Sequence, residues 1–163
     1  MSDDRIIVYG NSGSGKTTTA RRLCRQLNLP HLDLDTIAWQ TSGARKPVEE
    51  SVEVLDRFIK AHDGWVIEGS YSSLVEAALP WCTELLFLNP GMGACARNAR
   101  FRPWEPHKYA TIEGQAEGIN TLITWIKLYQ TRDDEFSFAR HRAIFDGFAG
   151  KKSQVGDEPL VTA

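Results

Sequence analysis

Residues 10–17 read Gly-Asn-Ser-Gly-Ser-Gly-Lys-Thr, which satisfies G-x-x-x-x-G-K-[ST]. The pattern carries weight only after a strand and before a helix, and both flanks comply. Ile6–Tyr9 is a short β-branched run closing at Gly10, and Lys16–Asn28 places Ala20, Leu23, Cys24 and Leu27 on one helical face. Glycines at this turn let successive backbone N–H groups converge on phosphate oxygens, and the helix N-terminus adds its positive dipole end. Gly10, Asn11, Ser12, Gly13, Ser14, Gly15, Lys16, Thr17 and Thr18 are therefore the expected nucleotide-phosphate contacts. Lys16 is expected at the β- and γ-phosphates and the Thr17 hydroxyl on Mg²⁺.

The rest of the chain supports one α/β domain over residues 1–163. Further strands are expected at Pro30–Asp35, Trp65–Gly69 and Leu85–Leu88, with a short fifth at Lys151–Val155. Between them come an amphipathic helix on Val48, Val52, Leu55 and Ile59 and a short helix at Leu74–Leu79, with later helices at Ile119–Tyr129 and Phe136–Phe148. Near-continuous apolar strands alternating with helices predict a mostly parallel sheet in a three-layer α/β/α sandwich. A lid segment is expected at about residues 96–118 and a frayed tail at about 156–163.

In such sheets ligands bind beyond the strands' carboxyl ends. Asp33 and Asp35, two apart on a strand, are expected on one face. Asp33 either holds a water of the Mg²⁺ shell or caps the next helix; Asp35 either orients and deprotonates an acceptor hydroxyl or caps likewise. Glu68 closes the third strand, facing either the cleft or solvent, and Ser72 or Ser73 is the expected cap of the helix that follows. Asp35, Trp39, Glu68 and Tyr71 are expected to form the acceptor pocket, two carboxylates accepting hydrogen bonds and two rings walling the ligand. Asn89 ends the fourth strand where a metal-orienting aspartate often stands. Arg97, Arg100 and Arg102, ahead of the Pro- and Trp-rich run 103–109, are expected either to close over transferring phosphate or to form a solvated basic face. His31, His62 and His141 lack ligand spacing and are expected to be structural.

Composition excludes several classes. A formal net charge of -2 gives no overall basic field for nucleic acid. Three cysteines without metal-like spacing make a poor disulfide framework. No stretch approaches the roughly 20 apolar residues of a membrane span. The acidic N-terminus lacks the features of a signal peptide. A cytoplasmic protein is expected. No Asn-Lys-x-Asp base-selecting motif occurs, which favours ATP over GTP.

Asp35-Thr-Ile-Ala-Trp39, Trp65-Val-Ile-Glu-Gly-Ser-Tyr-Ser-Ser73 and Leu86-Phe-Leu-Asn-Pro90, behind an N-terminal phosphate loop, resemble the FlaR-like family of DNA topology modulation proteins. That family is similar to the adenylate kinase and shikimate kinase group of P-loop proteins. The likeness covers residues 5 to about 104; Arg102–Tyr109 and Asp133–Phe138 resemble a subgroup of shikimate kinase- or adenylate kinase-like chains. Two departures stand out, Glu68 and Asn89, where the family usually has aspartate. The glycine-rich turn of shikimate kinases after the third strand is replaced by Glu68-Gly-Ser-Tyr-Ser. The resemblance implies a kinase-like fold with ATP and Mg²⁺ as ligands. Phosphoryl transfer from ATP to a small-molecule hydroxyl or a nucleotide is the expected activity. A nucleotide-dependent regulator acting on DNA is the rival reading.

Overall fold

A computed structural model describes residues 2–106 and 109–156. His107 and Lys108 of the expected lid, and residues 157–163 of the expected tail, lie outside the described residues. Five parallel strands form one sheet in the order β2-β3-β1-β4-β5. They are β1 (Arg5–Gly10), β2 (His31–Asp33), β3 (Trp65–Gly69), β4 (Glu84–Leu88) and β5 (Lys151–Val155). The helices are α1 (Lys16–Leu27), α2 (Asp35–Ala38), α3 (Val48–Ala61), α4 (Ser72–Ala78), α5 (Met92–Arg100), α6 (Ile112–Lys127) and α7 (Phe138–Gly147). The three-layer sandwich expected from the strand–helix alternation is what forms.

The period-2 alternation of β1 divides the core. Ile7 and Tyr9 join Trp65, Ile67, Leu85 and Phe87 under α3, α4 and α7. Ile6 and Val8 join Val66 and Leu88 under Ala20 and Leu23 of α1. Both sheet faces are thus covered at the centre, which is why the inner strands β1, β3 and β4 are mostly apolar while the edge strands β2 and β5 are not. A third cluster, Cys95, Ala99 and Ile126 with Leu122 and Trp125, packs α5 against α6. The segment expected as a lid, about residues 96–118, takes in the end of α5, the connection that follows it and the start of α6.

Local signals set the helix ends. Asn28 takes the left-handed conformation (φ 54°) and its N–H closes on the Cys24 carbonyl, ending α1. Thr111 and Ser137 cap α6 and α7 through their hydroxyls. Three expectations are corrected. The second strand stops at Asp33, because the Asp33 carboxylate accepts the Asp35 N–H at 2.9 Å and turns the chain into α2. Ser72 is the first residue of α4, with Tyr71 at the cap position, and its hydroxyl donates instead to the Glu135 carbonyl at 2.5 Å. The helix at Ile119 begins earlier, at Ile112. Among the described residues no helix is long and apolar enough to cross a membrane.

Candidate functional site

The central strand β1 lies between β3 and β4, and the loop at its carboxyl end opens α1. Gly15, immediately before the helix, has φ +95°, a left-handed conformation that side chains resist. Gly13 has φ +78° and presses on α5: a Cβ there would meet the Cys95 carbonyl oxygen at 2.3 Å. Ser12, Gly13, Gly15, Lys16, Thr17 and Thr18 line a large cleft. Gly10, Asn11 and Ser14 are buried beneath it. The Asn11 Oδ1 accepts the Ser12 N–H at 2.8 Å, while its backbone carbonyl accepts Lys16 Nζ at 2.7 Å. Burial holds the Lys16 amine below its ordinary value; Glu68 and Asp35 work against that, and the Arg102 guanidinium adds to it. An ammonium set among two carboxylates and a guanidinium at a helix N-terminus is a ready partner for a polyphosphate.

Glu68 is buried, at 2% exposure, and its Oε1 accepts the Thr17 hydroxyl at 3.0 Å. His31 Nε2 approaches the same oxygen at 3.6 Å. Thr17 and Asp33 are the residues expected at the metal, and Glu68 is expected at the acceptor. Glu68 lies against Thr17, and Asp33 lines the same cleft with one oxygen accepting the Asp35 N–H. No spacing rule links residues 17 and 68; only the crossover of α1 over β3 brings them together. The Asn89 side chain is not among those lining the cleft. A hydroxyl and a carboxylate are hard oxygen donors, and Mg²⁺ usually takes one or two such protein groups beside substrate phosphates. Glu68→Gln is accordingly expected to raise the Mg²⁺ concentration needed for half-maximal ATP binding by about tenfold or more. Asp33→Asn should change it far less. Magnesium titrations of both variants by calorimetry separate the two, and a larger effect at Asp33 contradicts the assignment.

Three of the four residues expected at the acceptor, Asp35, Trp39 and Tyr71, meet in one hydrogen-bonded chain. Trp39 Nε1, which can only donate, reaches the Tyr71 hydroxyl at 2.8 Å, so that hydroxyl's own proton goes to Asp35 Oδ1 at 2.5 Å. Asp35 is thereby fixed as an accepting carboxylate. Burial, and then Asp35, push the Tyr71 phenol upward, so it keeps its proton. Asp35, Trp39, Glu68 and Tyr71 all line the cleft, and Trp125 and Phe136 extend its aromatic wall. Arg45, which the sequence did not single out, lies over the Tyr71 ring at 4.9 Å and donates to the Ala38 carbonyl at 2.9 Å.

The three arginines part company. Arg102 lines the cleft beside Trp104 and pairs with Glu105 at 3.2 Å. Arg97 and Arg100 are exposed on α5 and do not line it, because Cys95, Ala96 and Ala99 occupy that helix's buried face. Arg21 of α1 also lines the cleft and had no distinguishing signal. His141 is structural, as expected. Its Nε2 donates to the Ser70 carbonyl at 2.8 Å, so its Nδ1 accepts the Tyr129 hydroxyl at 2.6 Å. Burial pushes the imidazole down to about 4, which keeps it neutral.

Comparison with known proteins agrees with this architecture. No family model matches the chain, and the FlaR-like resemblance finds no support among the relatives. Adenylate kinase 2 of Nostoc sp. is 30% identical over an alignment of 84 positions, covering 40% of this chain and 46% of that protein. The chain thus matches under half the length of this curated relative. A gluconokinase from Sinorhizobium meliloti superposes with a TM-score of 0.51 at 15% identity, over 96% of this chain and 85% of the other. A shikimate kinase from Bacteroides thetaiotaomicron gives 0.52 at 17% identity, over 88% of this chain and 97% of the other. The fold is that of these structures, and the chain is distantly similar to the adenylate kinase and shikimate kinase-like group of P-loop kinases.

Proposed function

We propose that this protein is an ATP-dependent phosphotransferase acting on the hydroxyl of a small molecule or on a nucleotide. One observation carries the reading: the Trp39–Tyr71–Asp35 chain opens into the same cleft as Lys16 and Thr17. A phosphate cradle alone fits any nucleotide-binding protein. A carboxylate oriented by two directed hydrogen bonds across the same cleft fits one that also activates an acceptor.

The phosphate loop suits ATP, and the Thr17–Glu68 pair suits Mg²⁺. ATP bound with Mg²⁺ supplies the transferable phosphoryl group and a neutralising cation. The chain's own part is positioning and charge. Lys16 and the loop N–H groups would hold the polyphosphate. Glu68 would orient Thr17 and the metal's water shell. Asp35, held by Tyr71, would accept the acceptor hydroxyl's proton, leaving its oxygen free to bond the γ-phosphorus as that atom's bond to the bridging oxygen breaks and ADP leaves. Trp39, Tyr71, Trp125 and Phe136 would exclude water from the acceptor. Arg102 would meet charge on the phosphoryl group as it moves.

Asp35→Asn keeps the shape of this cluster and removes the charge and most of the basicity. Acceptor-dependent phosphorylation is expected to fall by about 10²-fold or more, the usual consequence of losing a general base. ATP affinity, by calorimetry, should stay near that of the parent protein. Full activity in this variant removes Asp35 from the mechanism.

A further inference from the structure

Arg45 touches both donors of the hydrogen-bonded chain that fixes Asp35. It closes a tight turn after α2. Gln40 donates its N–H to the Ala44 carbonyl at 2.7 Å, and Trp39 and Arg45 face each other across an isolated antiparallel bridge. From there the guanidinium folds back under the turn. Its Nη1 donates to the Ala38 carbonyl at 2.9 Å and reaches the Ser51 hydroxyl at 3.4 Å, whose own proton goes to the Ile37 carbonyl at 2.8 Å. These bonds anchor the backbone immediately before Trp39. The Trp39 ring is 45% exposed, so it leans on that backbone, and on the Tyr71 hydroxyl, for its place.

The same guanidinium lies over the face of the Tyr71 ring, while Phe136 meets that ring edge-on, 5.2 Å between centroids. Glu135 holds the backbone that follows. Its carbonyl accepts the Ser72 N–H at 3.3 Å as well as the Ser72 hydroxyl, and its Oε1 accepts the Ser73 hydroxyl at 2.8 Å. That Oε1 also faces Arg45 Nη2 at 3.8 Å, an ion pair without a hydrogen bond between two partly buried side chains. One carboxylate thus joins the residues after Tyr71 to the cation over its ring.

We propose that Arg45 and Glu135 are positioning residues that set Trp39 and Tyr71 in the one arrangement in which Trp39 donates to Tyr71 and Tyr71 donates to Asp35. Neither of the two lines the cleft, so both act through the chain and not on the acceptor. The role rests on the phosphotransferase reading, since the chain they hold is the one that presents Asp35 to an acceptor hydroxyl. A carboxylate that takes a proton has to stay within hydrogen-bond reach of it, and small misplacements are costly. The task needs a planar, forked cation, whose edge serves a carbonyl while its face covers a ring. The compact ammonium of lysine can do one or the other.

The indole N–H of Trp39 reports this chain directly, with neither nucleotide nor acceptor present. Its hydrogen exchange is followed by NMR in protein carrying isotope-labelled tryptophan, with Trp39→Phe assigning the resonance. Trp65, fully buried in β3, is the reference for opening of the whole fold. Tyr71→Phe removes the hydroxyl that accepts the Trp39 N–H and gives the rate of the broken chain. Arg45→Ala and Arg45→Lys should each speed Trp39 exchange by about tenfold or more, towards the Tyr71→Phe rate, and leave Trp65 at the parent rate. Glu135→Ala should act in the same direction. Parental Trp39 protection in both Arg45 variants overturns the proposal. Acceleration of Trp39 and Trp65 together overturns it too, because it marks Arg45 as a support of the fold at large. A parental rate in Glu135→Ala overturns the part given to Glu135. Trp39 exchange in the parent protein as fast as in Tyr71→Phe shows the chain absent, and removes both the proposal and the observation beneath the phosphotransferase reading. The Asp35→Asn kinetics test that reading separately: full activity there, with Trp39 exchange as expected, removes the role of Asp35 and leaves the hold on Trp39 and Tyr71 standing.

Discussion

Lys16→Ala is expected to weaken ATP binding by about 10²-fold or more, since removing one partner of a desolvated charge pair typically costs about 3 kcal/mol. The fold should survive the change. The Lys16 side chain belongs to none of the three apolar clusters, and the bond it makes to the Asn11 carbonyl is one the Ser14 N–H also serves, at 3.2 Å. Calorimetric titration with ATP gives the affinity, and circular dichroism with a melting curve shows whether the chain is folded. A folded variant that binds ATP as well as the parent protein removes the cradle from residues 10–17.

The second large effect belongs to Arg102. Arg102→Ala is expected to lower turnover by about 10³-fold or more, the scale on which an arginine stabilises a transferring phosphoryl group. Affinity for ATP should change much less. An interaction made only in the transition state lowers kcat and kcat/KM together and leaves ground-state binding in place. Arg97→Ala and Arg100→Ala, on the exposed side of α5, serve as the comparison and should leave turnover within a small factor of the parent value. Steady-state kinetics of the three variants makes the distinction. If Arg102→Ala loses ATP affinity and keeps its turnover, the guanidinium is a clamp on resting nucleotide.

Much of this architecture could be read in the chain, because its signals are local. The β1 run, the loop and the amphipathic stripe of α1 follow one another within residues 5–28, each with its own periodicity or turn chemistry. The same holds for β3 and β4, whose apolar runs need no tertiary context. Lys151–Val155 was legible as a strand although it carries two lysines, and it forms the edge next to β4, where such residues are tolerated.

The parts that were not legible depend on rotation about an axis or on distant packing. Helical spacing puts Arg97 and Arg100 on one face without saying which face, and small buried residues at 95, 96 and 99 decide it. Period-2 spacing placed Asp33 and Asp35 on one strand face, but an aspartate whose carboxylate takes the N–H two residues on turns the chain and ends its own strand. Glu68 was visible as a strand-end carboxylate; its contact with Thr17 spans 51 positions and arises only from the parallel crossover. Arg45 and the Tyr129–His141–Ser70 chain carry no spacing signal, since each acts through a backbone carbonyl or a ring that tertiary packing brings close.

Transfer itself is the central claim, and phosphorus NMR of the protein with ATP, Mg²⁺ and the small-molecule fraction of a cell extract tests it most directly. The γ-phosphate resonance should disappear as a new phosphoester resonance and ADP grow in equal amounts, and Asp35→Asn should suppress that growth. The contrary result is ATP consumed only to inorganic phosphate at a rate the extract does not change, accompanied by DNA binding that weakens steeply with salt; that outcome contradicts the phosphotransferase account and supports a nucleotide-dependent regulator in its place.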